Sequence, residues 1–450
     1  MTTQNPSQIT ENQSTNSQSS IFDYLEYFLL LHLLEILLLI IPYGVLLYLL
    51  PLFIISPLLI FSNKSKQIWW QVERKLYSYL PYLVAFYPYR RNYSLVAYGE
   101  YEKLQNILEN YPNDCGIVIA NHQTAVDIST LIQFWGAISK KISGFGIISW
   151  IQDYLLGILP TGWVSKIHGD FFVLQSVDVN QLTKLTQCKR SSKNIRHKVE
   201  EGLRNHVKSI FQRHRFLQFF PEGGFFENRK ASSRRFAKNN NLPHLEHVNL
   251  PRTAGMSSII NVLNENDWLE RDQQENRESA DSDINNNNFK LLVHSDKKKV
   301  RHLITLTICY PNKSKPWSVW DVLFRLPVKH RQNCYVHIKI ESLDNMPLPS
   351  VEDCQNPKNN PKIKQPEKNQ SKETIKNKMH EPFETFLISK FQEMDKIKAQ
   401  FYENGGAAGI SAENTYDLTL SRCKLWGHYL LSWVCGTAVI AGVTCLILFA

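Results

Sequence analysis

The chain has no pair of cysteines at Cys-x-x-Cys spacing, and none of its 8 cysteines has histidines nearby at zinc-binding spacing. This absence argues against a zinc-finger framework and favours reduced thiols in a cytosolic setting. Cys115 and Cys309 fall in strand-like runs, so we expect both in the core, with a nucleophilic cysteine as the open alternative. No motif implies a metal or a redox cofactor.

Lysine and arginine are missing from the start of the chain, where the first such residue follows Glu35. Without a basic region before the apolar stretch, a cleaved signal peptide is disfavoured. Residues 1–20 are polar and predicted to be disordered. Residues 21–62 form a predicted membrane segment, either one kinked span or a re-entrant hairpin, because prolines interrupt it. Residues 425–450 form a predicted C-terminal transmembrane helix.

The formal net charge of +10 fits contact either with nucleic acid or with an anionic membrane surface. The chain lacks a nucleic-acid-binding motif, so the membrane is the expected partner. Basic residues first cluster just after the N-terminal apolar run, at Lys64, Lys66, Arg74 and Lys75. The positive-inside rule then predicts a catalytic region that faces the cytosol.

A histidine stands five residues before an aspartate in the segment Asn121-His122-Gln123-Thr124-Ala125-Val126-Asp127, just after an apolar, strand-like run. Residues five apart on an ideal helix point about 140° away from each other. His122 and Asp127 therefore meet only if the histidine lies in the turn and the aspartate in the first helical turn. Asp127 would then fix the tautomer of His122, which would be free to take a proton from an attacking hydroxyl.

A second strand-like run, Phe216 to Phe220, ends in Pro221-Glu222-Gly223-Gly224. Active sites of open α/β sheets are built where strands end and turns begin. The two segments therefore predict one site assembled from distant parts of the chain. Taken alone, the histidine–aspartate spacing is also compatible with a surface histidine at the start of a helix.

Four blocks resemble motifs I to IV of the membrane-bound glycerolipid acyltransferase superfamily, and their details are most similar to lysophosphatidylglycerol acyltransferases. Motif I is Asn121 to Asp127, and motif III is Phe220 to Gly224. Motif II is similar to His168-Gly169-Asp170-Phe171-Phe172-Val173-Leu174-Gln175, and motif IV to Leu250-Pro251-Arg252. The resemblance implies an α/β fold with a mixed sheet wrapped by helices.

The resemblance also implies roles for single residues. His122 would be the general base and Asp127 its orienting partner, with oxyanion donors expected among backbone N–H groups near motif I or Gly223. The acceptor lipid would be bound by a set that comprises Gly169, Phe172, Glu222, Gly223, Gly224, Pro251 and Arg252.

Three positions depart from the superfamily pattern. Gln175 stands where motif II usually ends in arginine, and Gly224-Phe225 stand where Thr-Arg is usual, so two cationic phosphate anchors are absent. A phosphate monoester carries close to two negative charges and a phosphodiester one. The departures therefore favour a lysophospholipid with a further head group, such as lysophosphatidylglycerol or lysophosphatidylethanolamine. Arg229 and Arg252 are candidates for the remaining anionic contact, or else solvated surface charges.

The predicted organisation has the acyltransferase domain at residues 63–345, with a low-complexity insertion at 264–300. A disordered linker follows at 346–380, and a helix at 381–404. The predicted function is acyl transfer from acyl-CoA, a substrate rather than a cofactor, to a lysophospholipid at the endoplasmic reticulum membrane. The alternatives are a membrane-bound acyl-CoA thioesterase and a non-enzymatic lipid-binding protein.

Overall fold

The computed structural model describes most of the central chain. The described residues are 50–57, 62–138, 144–158, 160–173, 192–265, 299–313, 316–318, 321–322, 328–344, 346–349, 382–406, 410, 414–431 and 434. The predicted disordered start, most of the low-complexity insertion and nearly all of the predicted linker lie outside these residues.

Within the described residues, eight strands form one mixed sheet in the order β4-β3-β5-β2-β6-β7-β1-β8. The first five strands in this order are mutually parallel, β7 runs antiparallel to β6, and β8 runs antiparallel to β1. The strands are β1 Tyr93–Gly99, β2 Asp114–Ala120, β3 Ile148–Asp153, β4 Phe171–Val173, β5 Phe216–Phe219, β6 Lys299–Cys309, β7 Gln332–Ser342 and β8 Thr415–Asp417.

Helices cover both faces of the sheet. They are α1 Leu50–Ile55, α2 Asn63–Tyr77, α3 Leu80–Arg90, α4 Tyr101–Asn110, α5 Val126–Ile138, α6 Pro160–His168, α7 Ser192–Arg213, α8 Phe226–Asn239, α9 Thr253–Glu265 and α10 Pro382–Glu403. A further helix covers residues 422–431. The predicted α/β fold with a mixed sheet and surrounding helices is therefore confirmed.

Strand β2 is buried on both faces, which explains the continuous apolar run in the sequence before motif I. Val118 and Ala120 belong to one core cluster, with α4 and α5, while Cys115, Ile117 and Ile119 belong to the other, with α7, α9 and α10. A strand that is covered on both faces needs apolar side chains at every position rather than at alternate ones. Cys115 and Cys309 are fully buried, as expected, and neither forms a disulfide bond with another described residue.

The pairing of β2 with β5 brings the two predicted motifs together. The strands are parallel and in register from Gly116 opposite Phe216 to Ile119 opposite Phe219. Both therefore end at the same edge of the sheet, and the segments that follow them, motif I and motif III, leave the sheet side by side.

No helix among the described residues is long and apolar enough to cross a membrane. Most of the two predicted membrane segments, 21–62 and 425–450, lies outside the described part of the chain, apart from residues 50–57, 62, 425–431 and 434. Helix α10, Pro382–Glu403, lies where the sequence predicted a helix at 381–404.

Candidate active site

His122 and Asp127 form a direct hydrogen-bonded pair at the end of β2. His122 lies in the turn and Asp127 in the first turn of α5, the only local arrangement in which residues five apart can meet. The Nδ1 atom of His122 is 2.9 Å from Oδ2 of Asp127. A carboxylate only accepts hydrogen bonds, so the proton lies on Nδ1 and the lone pair on Nε2.

Asp127 is fully buried and held by donors on both oxygens. Its Oδ2 atom also accepts the backbone N–H groups of Gln123 and Thr124, the latter at 2.9 Å. Its Oδ1 atom accepts the Tyr310 hydroxyl at 2.7 Å. Burial, together with the charge of Asp127, raises the pKa of Tyr310 well above its usual value, which keeps this hydroxyl a donor. The carboxylate is thus fixed before any substrate binds.

The imidazole ring of His122 is packed between two aromatic side chains, Phe220 of motif III and Phe225, which directly follows that motif. Phe220 stacks on it with ring centroids 3.9 Å apart, and Phe225 meets it edge-on at 4.5 Å. Its side chain keeps 11% of its surface exposed. Within the described part of the chain, Nε2 has no hydrogen-bond partner, so the basic nitrogen is available to a substrate hydroxyl.

Asn121 joins the end of β2 to β6. Its Oδ1 atom accepts the N–H of Ile308 at 2.7 Å, and its Nδ2 atom donates to the carbonyl of the same residue at 3.3 Å. Asn121 is fully buried, so the amide replaces backbone pairing at the point where β2 turns away from the sheet. This contact explains why an asparagine precedes the histidine in motif I.

Glu222 is buried and links motif I to Asn249, the residue that precedes motif IV. Its Oε1 atom accepts the backbone N–H of His122 at 2.8 Å. Its Oε2 atom accepts the backbone N–H of Asn249 at 3.1 Å and the side-chain amide of the same residue at 2.9 Å. Burial raises the pKa of Glu222 to about 8, although these hydrogen bonds counteract the rise. Both carboxylate oxygens are therefore engaged with the protein itself.

The two glycines after Glu222 allow arginine side chains to lie against the turn. Gly223 has φ +66°, and a Cβ atom there would come within 2.9 Å of the Arg252 side chain. A Cβ atom on Gly224 would come within 3.1 Å of the Arg229 side chain. Only glycine permits both the backbone conformation and the close approach.

Arg229 and Arg252 lie close enough to repel each other. Partial burial and the charge of Arg229 lower the pKa of Arg252, and burial lowers that of Arg229. The Nε atom of Arg229 is buried without a hydrogen-bond partner among the described residues. Pro251 is buried, and the N–H of Arg252 donates to the Pro221 carbonyl at 2.8 Å, which ties motif IV to motif III.

Motif II lies along the same edge of the sheet, but not in contact with His122. Strand β4 is three strand positions from β2, which corresponds to about 14 Å. Phe172 is half-buried on β4, and Gly169 follows α6 with φ +95°, where a Cβ atom would come within 2.8 Å of the Arg213 guanidinium. The close approach of Arg213 thus explains why position 169 holds a glycine.

The N–H of Gly223 itself already donates to the Phe220 carbonyl at 3.1 Å, so the expected oxyanion donors near motif I or Gly223 stay a prediction that concerns neighbouring N–H groups. The backbone N–H groups of His122, Gln123 and Thr124 are also engaged, with Glu222 and Asp127. Two nearby groups without a backbone acceptor in the described structure are the N–H groups of Gly224 and Phe225. The start of α8, which follows directly, adds the positive end of a helix dipole.

Three residues that support the site were not found from the sequence: Tyr310, Asn249 and Lys398, a fully buried lysine of α10. Each is far from motif I in the chain, and none belongs to a recognisable local pattern. The position of Tyr310 directly after a strand-like run was the one available signal.

No family model matches the chain. Acyl-CoA:lysophosphatidylglycerol acyltransferase 1 of Homo sapiens is 25% identical over 378 residues, which cover 83% of this chain and 82% of that protein. The protein of the same name from Mus musculus is 27% identical over 297 residues, covering 66% of this chain and 68% of that one.

A probable 1-acyl-sn-glycerol-3-phosphate acyltransferase 5 of Arabidopsis thaliana is 30% identical over 152 residues, covering 33% of this chain and 34% of that protein. All three relatives are named as acyltransferases, and the similarity to the first two extends well beyond the motifs. The chain is an O-acyltransferase whose motifs and relatives fit the glycerolipid acyltransferase superfamily.

Proposed function

We propose that this enzyme transfers the acyl chain of acyl-CoA to the free hydroxyl of a lysophospholipid that carries a head group beyond its phosphate. Lysophosphatidylglycerol and lysophosphatidylethanolamine are the candidate acceptors. The observation that carries the proposal is the His122–Asp127 pair, whose Nε2 has no hydrogen-bond partner in the described structure, beside the turn that presents Arg229 and Arg252. Two relatives named for lysophosphatidylglycerol support this choice of acceptor.

In the proposed reaction, Nε2 of His122 takes the proton of the acceptor hydroxyl as its oxygen attacks the thioester carbonyl. A new C–O bond forms, and the carbonyl oxygen becomes an oxyanion near the N–H groups of Gly224 and Phe225 and the start of α8. The oxyanion then collapses, the C–S bond breaks, and the proton passes from the imidazolium to the leaving thiolate. Asp127 stabilises the imidazolium throughout.

Among the described residues, Arg229 and Arg252 have no carboxylate partner of their own, which favours an anion at the Gly223–Gly224 turn. A bound phosphate would relieve the repulsion between Arg229 and Arg252 and would give the buried Nε atom of Arg229 an acceptor. The usual cation positions of motifs II and III hold Gln175 and Phe225, so the chain lacks two cations that superfamily members usually direct at a phosphate monoester. The site therefore favours a phosphodiester.

Membrane attachment is part of the proposal, with the protein in the endoplasmic reticulum membrane and its catalytic domain facing the cytosol. Exposed apolar side chains support it where the predicted segments meet the described residues, since Ile54 is 66% exposed and Val434 65%. A glycosylation acceptor, Asn12-Gln13-Ser14, provides a test. If the first segment spans the membrane, Asn12 becomes modified in microsomes; a re-entrant hairpin leaves it bare.

The acceptor is tested by measuring CoA release from acyl-CoA with lysophosphatidylglycerol, lysophosphatidylethanolamine or lysophosphatidic acid. We expect release to require a lysophospholipid and the first two to exceed lysophosphatidic acid. CoA release without any acceptor would identify a thioesterase, and a preference for lysophosphatidic acid would contradict the proposed acceptor. Arg252→Gln should raise the KM for the acceptor about tenfold or more, while Arg235→Gln, on the exposed surface of α8, should not.

A further inference from the structure

Lys398 is a fully buried lysine on α10, a helix that none of the four motifs includes. A buried ammonium group loses the solvation that water provides, so lysine is almost never found fully buried without a specific partner. Burial lowers the pKa of Lys398 accordingly. A lysine that is fully buried next to the active site therefore requires specific partners.

The Lys398 ammonium group donates to the carbonyl of Ile308 at 3.1 Å. The same carbonyl accepts the side-chain amide of Asn121, and the N–H of Ile308 donates back to Asn121. Lys398 thus supports, through one shared peptide group, the residue that precedes His122. The contact connects α10 to the turn that carries the proposed base.

The charge of Lys398 also acts on both buried carboxylates of the site. Its pKa, lowered by burial, is partly restored by nearby acidic groups that include Asp127 and Glu222, and its own charge lowers the pKa of Glu222. The titratable and charged groups that face Lys398 from the surrounding elements are Asp127, Glu222, Cys309, Cys334, His247 and Tyr402. The charge of Lys398 thus acts on Asp127, which orients the His122 ring, and on Glu222, which accepts the backbone N–H of His122.

Asp395, one turn earlier on α10, supports the other half of the site. Its Oδ1 atom accepts the backbone N–H groups of His247 at 2.6 Å and Val248 at 3.2 Å. These residues directly precede Asn249, which holds Glu222. One turn of α10 therefore fixes both segments that position Glu222 and His122.

We propose that Lys398 is a positioning residue of the active site, where its buried ammonium group fixes the Ile308–Asn121 contact, balances the charge of Asp127 and favours the ionised form of Glu222. This inference rests on the proposed acyl transfer for its effect on rate. It also assigns α10 to the active site as an integral part.

Lys398→Met tests the proposal, because methionine keeps the length and apolar stem of lysine but removes the charge and the donor. Lys396→Met is the matched control, since Lys396 is exposed on the same helix. We expect Lys398→Met to lower kcat about tenfold or more at pH 7, with Lys396→Met unchanged. The deficit should shrink as the pH rises above 8, because alkaline conditions ionise Glu222 without help from the lysine.

A second measurement tests the effect of the Lys398 charge on the ionisation of Glu222 without requiring catalysis. The melting temperature, followed from pH 6 to 9, should show the ionisation of Glu222 moved to higher pH in Lys398→Met but not in Lys396→Met. Lys398→Gln keeps an N–H donor for Ile308 and replaces the methionine variant if that one does not fold; the same displacement is expected. Unchanged kcat, pH profile and melting behaviour in a folded variant would overturn the proposal. A wild-type enzyme with no transfer to any lysophospholipid would instead overturn the proposed function, and the melting data would still test Lys398.

Discussion

Replacing Asp127 by asparagine removes one negative charge from the site while keeping its shape. Oδ2 of Asp127 accepts three N–H groups, so the amide oxygen of asparagine will occupy that position. The amide NH₂ then faces the Tyr310 hydroxyl, which can rotate and accept. His122 therefore keeps its tautomer and loses only the charge that stabilises its protonated form.

The expected cost follows from that geometry. A hydrogen bond to a charged group contributes about 1.5–3 kcal/mol, which corresponds to a loss of roughly 10- to 150-fold in kcat. Asp127→Ala also removes the acceptor of the two backbone N–H groups and leaves the imidazole unoriented, so we expect a loss of about 10³-fold or more. A larger loss of kcat in Asp127→Ala than in Asp127→Asn is expected because alanine removes the acceptor of these hydrogen bonds, whereas asparagine keeps it.

The assay is the initial rate of lysophospholipid-dependent CoA release at saturating acceptor, with circular dichroism to confirm that both variants fold. Equal losses in the two variants would show that asparagine does not preserve the tautomer. Wild-type rates in Asp127→Asn would refute the role of the carboxylate altogether.

Two further predictions concern the residues that hold the pair. Tyr310→Phe removes one hydrogen bond to Asp127 and should lower kcat about tenfold, less than Asp127→Asn, with little change in the KM for acyl-CoA. The pKa of Glu222 is raised from 4.5 to about 8, so its protonation stabilises the fold below pH 4.5 and this contribution is lost as the pH rises through about 8. The loss of unfolding free energy amounts to at most roughly 5 kcal/mol. Glu222→Gln should therefore flatten the decline of unfolding free energy between pH 4.5 and about 8. If the decline is equally steep in the variant, Glu222 ionises normally.

The parts of the fold that local patterns determine could be predicted from the sequence. The buried β2 is a continuous apolar run, and the five-residue spacing from His122 to Asp127 allows contact only across a strand-to-helix turn. The ends of β2 and β5 are expected to form one site because the active sites of open α/β sheets are built where strands end. The structure places both ends at the same edge of the sheet.

The supporting residues could not be predicted, because each acts through a contact that is long in sequence. Tyr310 reaches Asp127 across 183 residues, and Asn121 meets Ile308 across 187. Lys398 lies in a helix whose apolar spacing was recognisable, but a buried lysine at one of its positions has no local signature. Glu222 was expected to contact the acceptor, while the structure shows both of its oxygens bonded to the protein.

The central claim is that the imidazole of His122 removes the proton from a lipid hydroxyl. The most direct measurement is lysophospholipid-dependent CoA release by purified His122→Ala beside the wild type, with melting temperatures to establish that both are folded. We expect the variant to keep its fold and its affinity for acyl-CoA while transfer falls to the background rate. Transfer by a folded His122→Ala enzyme at a rate near that of the wild type would contradict the account.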